Sequence, residues 1–332
     1  RDLPAQEVIA RSLASSVARP FWTDDAPPAP HETLTGSRSA DLVIVGAGYT
    51  GLWTAVRAKE RNPGSSVVVV EAKRVGWAAS GRNGGFVEAS LTHGEENGQR
   101  RWPEELHELD RLGHENLDAI EATVARYSMQ CDFERTGTLT VAVEPHQIEW
   151  LDADGRMDAA AAQAEVNSPT YLAAHWDRRS PALVHPARLA NELARVAQKL
   201  GVEIYESSPV RRLDTGSDGV DVVTDGGSIR AKQVALATNV FPSLLKRNRL
   251  MTVPVYDYVL MTRPLTDSEL ASVGWTNRQG LADMANQFHY YRLSADNRIL
   301  FGGYDAVYYA GGRVRSQYEE RQQSFTRLAS HF

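Results

Sequence analysis

A glycine-rich turn at the end of an apolar run constrains the fold of this chain more than any other feature of its sequence. Residues 42–45 (LVIV) are unbroken apolar, which is typical of a strand buried on both faces of a parallel sheet. The turn GAGYTG at residues 46–51 follows directly, and residues 52–61 favour helix. A second apolar run, residues 67–70, comes next. This order of strand, turn, helix and strand predicts one complete βαβ unit.

The glycines of the turn suit it to binding a pyrophosphate. Gly46 permits the tight turn, Gly48 lets a pyrophosphate approach the backbone, and Gly51 lets helix and strand pack closely. The helix N-terminus offers N–H groups to the anion. Glu71 ends the second strand, where a carboxylate accepts hydrogen bonds from the ribose hydroxyls of an adenine dinucleotide and repels a 2′-phosphate. We therefore predict binding of FAD or NAD rather than NADP.

A second glycine-rich segment distinguishes these two cofactors. Residues 74–85 read RVGWAASGRNGG, and together with VIVGAGYTGLWTA at residues 43–55 they resemble the D-amino-acid oxidase superfamily of flavoproteins, closest to its gamma-glutamylputrescine oxidase branch. Similar stretches at residues 90–94, 235–239 and 298–303 extend the resemblance over most of the chain. It implies non-covalent FAD and oxidation of a small amine or amino acid. An NAD-dependent dehydrogenase, the alternative, explains the βαβ unit but not the second segment.

The cofactor site predicted from the turn, the acid and the resemblance draws on several separate stretches. Its residues are Gly46, Gly48, Tyr49, Thr50, Gly51, Glu71, Ala72, Lys73, Arg74, Ala79, Ser80, Arg82, Asn83, Gly84, Gly85, Val210, Ala237 and Thr238. The resemblance places Ala79, Ser80 and Arg82 near the pyrophosphate and ribityl chain, and residues 83–85 under the isoalloxazine ring. It also implies that Val210 contacts the adenine moiety through its backbone and that Ala237 and Thr238 line the site. Small residues allow the backbone to approach a flat ring, and Arg82 suits two phosphate charges.

Candidate substrate-binding residues lie mostly in the C-terminal part of the chain. They are Tyr256, Tyr258, Tyr291, Arg292 and His93. A tyrosine can cap an amine lone pair, and Arg292 can clamp a carboxylate with two hydrogen bonds. Two alternatives remain open, because tyrosines at period two also pack within sheets and Arg292 can instead pair with Asp296 or Asp283. No catalytic residue is predicted, since oxidation of an amine by a flavin does not require a dedicated base.

The pattern of elements predicts an α/β fold in which a Rossmann-like FAD-binding domain with a parallel sheet is interleaved with a substrate domain built on an antiparallel sheet. The predicted segments are an N-terminal arm at 1–39, the FAD-binding domain at 40–130 and 183–250, and the substrate domain at 131–182 and 251–332. The predicted helices span 104–127, 152–165 and 189–200, the first of them packed on the parallel sheet, and the predicted strands span 138–143, 202–205, 220–224, 229–234, 253–261, 288–293 and 299–301.

Composition limits the other classes of function. The 332 residues carry a net charge of −6 from interspersed acids and bases, so no nucleic-acid or lipid surface is indicated, and no apolar run is long enough to span a membrane. The single cysteine, Cys131, excludes an internal disulfide, fits the reducing cytoplasm and is expected to be a buried apolar residue. His185 is expected to be structural, and no group of residues has the spacing of metal ligands.

These expectations leave open the electron acceptor and the extent of the protein. Oxygen is the expected acceptor, with release of hydrogen peroxide, while a dehydrogenase that uses another acceptor and a non-catalytic FAD-binding subunit remain alternatives. The chain begins at Arg1 and ends at Phe332. The resemblance includes a further glycine-rich segment that returns to the flavin, so we expect residues of the site beyond the C-terminus.

Overall fold

The chain forms two large mixed sheets with helices packed around them. The computed structural model describes residues 3–248, 250–303 and 305–332. The strands are β1 (Gly36–Val45), β2 (Val67–Val70), β3 (Phe86–Val87), β4 (Thr138–Ala142), β5 (Met157–Asp158), β6 (Ala173–Asp177), β7 (Ala182–Leu183), β8 (Glu203–Tyr205), β9 (Arg212–Gly216), β10 (Gly219–Val223), β11 (Gly227–Leu236), β12 (Val259–Met261), β13 (Gly280–Asp283), β14 (His289–Leu293) and β15 (Ile299–Gly303). The helices are α1 (Gln6–Leu13), α2 (Phe21–Asp25), α3 (Tyr49–Arg61), α4 (Ala79–Arg82), α5 (Glu95–Arg101), α6 (Leu106–Arg126), α7 (Ala159–Glu165), α8 (Pro186–Lys199), α9 (Asp267–Val273) and α10 (Gln322–His331). Short 3₁₀ helices span Pro145–Trp150, Lys246–Asn248 and Ser316–Tyr318.

The first sheet contains the predicted βαβ unit. Its strand order is β8-β2-β1-β11-β10-β9, with the first four strands parallel and the last two antiparallel. Val45 pairs with both Val70 and Leu236, so three parallel strands end at the same edge. The predicted third parallel strand and the hairpin of β10 and β11 are confirmed. This edge is where ligands bind in open α/β sheets.

The second sheet forms the predicted antiparallel platform. Its order is β12-β15-β14-β13-β4-β6-β5, and all pairs are antiparallel except β13 with β4. Asn297 adopts a positive φ of 63° in the turn between β14 and β15, as its position in the predicted turn requires. The strand predicted at 253–261 is too long, because only β12 is regular and Tyr256 forms an isolated bridge with Val307.

Two helices differ from their predictions. The predicted helix at 152–165 begins only at α7, because the Asp158 side chain accepts a hydrogen bond from the Ala161 N–H and caps it there. The predicted packing of α6 on the parallel sheet holds only near the end of the helix, where Val124 packs against the core that includes β1 and β2. Its buried Leu117 packs with Ala89 and Ala182 near the short β3–β7 sheet. The apolar stripe on a helix predicts that one face is buried, but it does not identify the partner.

The N-terminal segment contains two helices that sequence reasoning missed. In α2, Trp22 is buried, and its ring lies 4.6 Å from that of His185. His185 is structural, as predicted, since its Nδ1 accepts a hydrogen bond from the Arg188 N–H and caps α8. Residues 26–35 have no regular structure and lead into β1.

The two sheets draw their strands from different parts of the chain. The strands of the first lie between residues 36 and 236 and those of the second between 138 and 303, which interleaves them in sequence. We propose the predicted division into an N-terminal arm, a cofactor domain and a substrate domain as the domain organisation. Within the described ranges, no helix combines the length and the apolar character needed to cross a membrane.

Candidate functional site

The three glycines of the turn lie in close contact with neighbouring atoms. Gly46 has a φ of +110°, and a Cβ built on it would lie 2.5 Å from the Ala237 carbonyl oxygen. A Cβ on Gly51 would lie 1.9 Å from the Gly46 carbonyl oxygen, and one on Gly48 would lie 2.9 Å from the Ser80 Oγ. The turn therefore packs directly on the backbone after β11 and on the start of α3. Gly46 and Gly51 require glycine because a Cβ would meet backbone atoms, as the sequence predicts. At Gly48 the nearest atom is the Ser80 hydroxyl, and its predicted approach to a pyrophosphate stays a prediction.

Glu71 joins the second strand to the glycine turn. It is buried, and its Oε2 accepts a hydrogen bond from the Ala47 N–H at 2.8 Å. Its Oε1 accepts from the Lys73 N–H at 2.8 Å and from the Trp77 Nε1–H at 3.1 Å. Three donors hold the carboxylate in one orientation at the sheet edge.

Trp77 lies at the site, but sequence reasoning did not include it among the site residues. Besides its bond to Glu71, its ring lies 3.9 Å from the Lys73 Nζ and 5.3 Å from the Phe241 ring centroid. Arg74 is exposed and lies 3.9 Å from Glu206. The tryptophan inside RVGWAASGRNGG was the available signal, because a large aromatic residue among small ones needs a packing or binding reason.

Ser80 and Arg82 lie on the short α4 beside the turn. The Ser80 Oγ accepts a hydrogen bond from the Tyr49 N–H at 3.0 Å, which ties α4 to the first turn of α3. The Tyr49 hydroxyl donates to the Pro186 carbonyl, and burial raises its pKa. Arg82 pairs with Glu319 at 2.9 Å, yet its buried Nε has no hydrogen-bond partner among the described residues. A buried guanidinium nitrogen without an acceptor is suited to an anionic ligand.

The segment of Gly84 and Gly85 lies against the second sheet. A Cβ on Gly84 would lie 2.6 Å from the Tyr290 ring, and one on Gly85 would lie 2.3 Å from the Val184 carbonyl oxygen. The Asn83 side chain accepts from the Gly85 N–H at 2.8 Å and fixes the bend. The segment is therefore held between Tyr290 of the second sheet and the backbone that follows β7.

Arg292 supports this segment from the second sheet. It is buried, and its Nη1 donates to the carbonyl oxygens of Gly85 at 3.1 Å and Val184 at 2.6 Å. Burial lowers its pKa to about 10. The alternative pairings are wrong, because Asp296 pairs with Arg298 and Asp283 with His289. Arg292 thus holds backbone carbonyls in this structure.

The predicted tyrosines face away from the glycine segment. Tyr291 lies in the core of the second sheet, where its hydroxyl meets that of Tyr171 at 2.8 Å. Tyr256 and Tyr258 share one face, as predicted, with ring centroids 6.4 Å apart, and buried Tyr258 donates to the Tyr318 carbonyl. His93 is exposed, with a φ of 58°. The structure therefore does not bring these four residues together at Gly84.

Residues one position away from the predicted tyrosines occupy the strand face that lies against Gly84. Tyr290, next to Tyr291, contacts Gly84, and its hydroxyl donates to Asp257, which lies between the two predicted tyrosines. Because side chains alternate across a strand, an offset of one residue moves every side chain to the other face. Adjacent tyrosines at 290 and 291 gave no sequence signal for the choice.

The remaining cofactor candidates lie around the same sheet edge. Ala237 contacts Gly46, and its N–H donates to the Val45 carbonyl, while Thr238 is half-buried and accepts from the Phe241 N–H. Val210 is half-buried beside the core of the first sheet. Thr50, Ala72 and Ala79 are exposed.

These residues fit FAD. The glycines form a cradle that any Cβ would fill, the α3 N-terminus faces it, and Arg82 carries a buried donor without an acceptor. The backbone of the turn with Arg82 would hold the pyrophosphate, Glu71 the ribose, and the Gly84 segment the ring system. Cys131 is buried, and burial raises the pKa of its thiol to about 12, so it is an apolar core residue as predicted.

Comparison with known proteins identifies relatives over most of the chain. The DAO family model, described as FAD dependent oxidoreductase, matches residues 41–332. Gamma-glutamylputrescine oxidoreductase of Escherichia coli is 33% identical over 294 residues, which are 83% of this chain and 67% of that protein. The probable oxidoreductase OrdL of Haemophilus influenzae is 31% identical over 289 residues, 81% of this chain and 66% of that protein. The chain spans about two thirds of the length of these curated relatives.

A solved structure shares the fold. Glycine oxidase from Geobacillus kaustophilus superimposes with a TM-score of 0.68 at 18% sequence identity, covering 89% of this chain and 78% of that one. This likeness supports the predicted α/β architecture with its Rossmann-like sheet.

Proposed function

We propose that this chain, which belongs to the DAO family of FAD-dependent oxidoreductases, oxidises a small amine or amino acid at its C–N bond. FAD is the cofactor that the family implies, and the alternative of an NAD-dependent dehydrogenase is thereby set aside. One observation carries the proposal of substrate chemistry. Gly84, which follows the nucleotide-binding turn in sequence, packs directly on Tyr290 of the second sheet. A ring held at Gly84 would face side chains of that sheet, as hydride transfer requires.

The residues of this chain act mainly by binding and positioning. The turn and Arg82 bind the pyrophosphate, and Glu71 orients the ribose. Arg292 donates to the Gly85 carbonyl, which helps to hold the segment that would lie under the ring. The second sheet then holds the C–H bond of the substrate toward the ring, which is the contribution that a cofactor enzyme needs from its protein.

The chemistry that FAD supplies when bound is removal of hydride from the carbon next to the amine nitrogen and transfer of both electrons to oxygen, which yields hydrogen peroxide. Water hydrolyses the imine product to a carbonyl compound and ammonia or an amine. The relative from Escherichia coli is named for gamma-glutamylputrescine. A γ-glutamylated polyamine is therefore the first substrate to test, followed by sarcosine and glycine. The reducing cytoplasm remains the proposed compartment.

Anaerobic reduction of the bound flavin tests the proposal. The protein is loaded with FAD, mixed with each candidate amine or amino acid without oxygen, and followed by the loss of flavin absorbance. Air is then admitted, and peroxide is measured against carbonyl product, with an expected ratio of one. The same measurements are made on Gly48→Ala, in which the added Cβ fills the cradle and should weaken FAD binding. Gly64→Ala is the control, because a Cβ there meets its nearest atom at 3.7 Å.

Each outcome separates the alternatives. Bleaching followed by equal peroxide and carbonyl product supports the oxidase. If the bleached flavin is reoxidised only by an artificial acceptor and not by air, the enzyme is a dehydrogenase whose electron acceptor is not oxygen. A flavin that binds but is never reduced by any amine or amino acid would contradict the proposed function and favour a non-catalytic FAD-binding subunit.

A further inference from the structure

A carboxylate and a tyrosine meet beside the Gly84 segment. Val259 pairs with Gly302, which also pairs with Tyr290, so these strands place Tyr290 and Val259 next to each other. Asp257 precedes Val259 by two residues, and the Tyr290 hydroxyl donates a hydrogen bond to its Oδ2. The pair therefore lies on the same side of the second sheet as the glycine segment.

The Tyr290 ring is fixed by its neighbours. A Cβ on Gly84 would lie 2.6 Å from it, and one on Gly302 would lie 2.7 Å from it. The Phe86 ring packs against it edge to face, with centroids 5.8 Å apart. Both glycines thus accommodate this ring. Its hydroxyl is held at one place, and so is the carboxylate that accepts its hydrogen bond.

Asp257 carries a negative charge that no cation of the described residues neutralises. Its carboxylate accepts from Tyr290, but no lysine or arginine in residues 3–248, 250–303 and 305–332 forms a salt bridge with it. Partial burial, together with the charge of Asp305, raises its pKa, while Asp305 itself is paired with Arg321 and Arg327. Asp257 nevertheless remains exposed to solvent, so a ligand can reach it. A carboxylate in these surroundings favours a bound cation.

The neighbouring arginine does not offer an opposite charge to ligands. The Arg292 Nη1 is committed to the Gly85 and Val184 carbonyls and is buried. The charged group that Tyr290 presents to solvent is therefore an acid, Asp257.

We propose that Asp257, oriented by Tyr290, binds the ammonium group of the substrate, and that the substrate class is an aliphatic amine recognised as its cation. The bound ammonium releases one proton to solvent before its α-carbon loses hydride, because only the neutral amine has the lone pair that forms the imine. This inference rests on the proposed function for the oxidation step and deepens it by naming the positive charge of the substrate that the protein recognises. Asp257 would act as a specificity-determining residue, and Tyr290 as a positioning residue that aligns the carboxylate.

Binding and oxidation are measured separately in the test. Equilibrium dialysis without oxygen measures the affinity of the FAD-loaded protein for isotope-labelled butylamine and for norvaline, the α-carboxylated counterpart of butylamine. Asp257→Asn keeps the shape and removes the charge, so butylamine affinity should fall roughly ten- to a hundred-fold. Tyr290→Phe should cause a smaller loss. Asp225→Asn is the matched control, because Asp225 pairs with Arg211 on an exposed hairpin.

The outcomes distinguish the inference from the proposed function. A loss of butylamine affinity in Asp257→Asn, with flavin absorbance and thermal unfolding unchanged, supports the inference. Equal affinity in Asp257→Asn and the parent protein overturns it, as does failure of the parent to bind butylamine or a stronger binding of norvaline that ignores Asp257. Butylamine that binds through Asp257, with a flavin that no amine of the panel reduces, supports the binding site and contradicts amine oxidation.

Discussion

The Glu71 Oε2 accepts a hydrogen bond from the Ala47 N–H at 2.8 Å, which fixes the end of β2 against the turn after β1. The same carboxylate accepts from Lys73 and Trp77 through its other oxygen. The acid therefore orders two glycine-rich segments at once. A ligand that lies along both segments depends on this one carboxylate.

Glu71→Gln should weaken FAD binding at least about tenfold and lower the free energy of unfolding by about 1–3 kcal/mol. An amide has only one acceptor oxygen, so one of the two sides loses its partner and meets an N–H₂ group instead. Titration of flavin fluorescence and urea unfolding measure the two effects. Glu115→Gln, on the exposed face of α6, is the matched control. Wild-type FAD affinity in Glu71→Gln would refute the role of the carboxylate.

Gly51→Ala should prevent FAD binding and destabilise the fold by about 1–3 kcal/mol, because the added Cβ would lie 1.9 Å from the Gly46 carbonyl oxygen. Backbone cannot move aside as a flexible side chain can. Gly64→Ala adds the same methyl group beyond the end of α3, with its nearest neighbour at 3.7 Å, and should leave both properties unchanged. Retention of flavin by Gly51→Ala would contradict close packing at the turn.

The nucleotide-binding half of the site could be predicted because its signals are local. Strand, turn and helix follow one another in sequence, and the glycine positions are set by contacts within that unit, such as Gly51 with Gly46. Pairing of β2 with β8 followed from a buried apolar strand after a helix, the usual crossover of parallel sheets.

The substrate half could not be predicted in the same way, because the face that a side chain occupies is set by pairing between distant strands. Tyr290 and Tyr291 are adjacent and chemically alike, and only the register of β14 with β15 decides which one reaches Gly84. Arg292 lies on the same strand face as Tyr290, but its use for backbone carbonyls depends on Gly85 and Val184, more than a hundred residues away in sequence. No alternation pattern carries that information.

Arg82→Gln should weaken FAD binding about tenfold or more while changing the stability of the FAD-free protein by less than about 1 kcal/mol. The buried Nε lacks a partner until a ligand supplies one, whereas the bond to Glu319 is a partly exposed ion pair of small energy. Glu319→Gln should leave FAD affinity equal or raise it a few-fold, because a competing anion is removed. Calorimetric FAD titration measures both variants, and Arg111→Gln is the control. Unaltered affinity in Arg82→Gln would argue against an anion at this place.

Cys131 should be unreactive toward thiol reagents in the folded protein near pH 8. It is buried, and burial raises the pKa of its thiol to about 12, so almost no thiolate forms. Ellman's reagent should label it only after urea unfolding, with one thiol modified per chain. The Cys131→Ala protein, which lacks the thiol, sets the baseline. Rapid labelling of the native protein would mean that this core opens readily.

The stability of the folded protein should decrease as pH falls below about 6.5, and His185 should account for part of that slope. Burial and the nearby Arg188 guanidinium lower the pKa of His185 from 6.5, despite its bond to Asp25. Between pH 6.5 and the lower pKa of the folded protein, the unfolded chain binds a proton at His185 and the folded chain does not. The contribution of His185 to the free energy of unfolding therefore falls across this interval as the pH falls, and it is constant below the folded pKa. His185→Asn keeps an acceptor for the Arg188 N–H at the start of α8 and cannot titrate, so urea unfolding should show a flatter pH dependence. His185→Ala should instead lose about 1 kcal/mol at every pH, because the cap itself is removed. An identical slope in His185→Asn and the parent protein would assign the pH dependence to other groups.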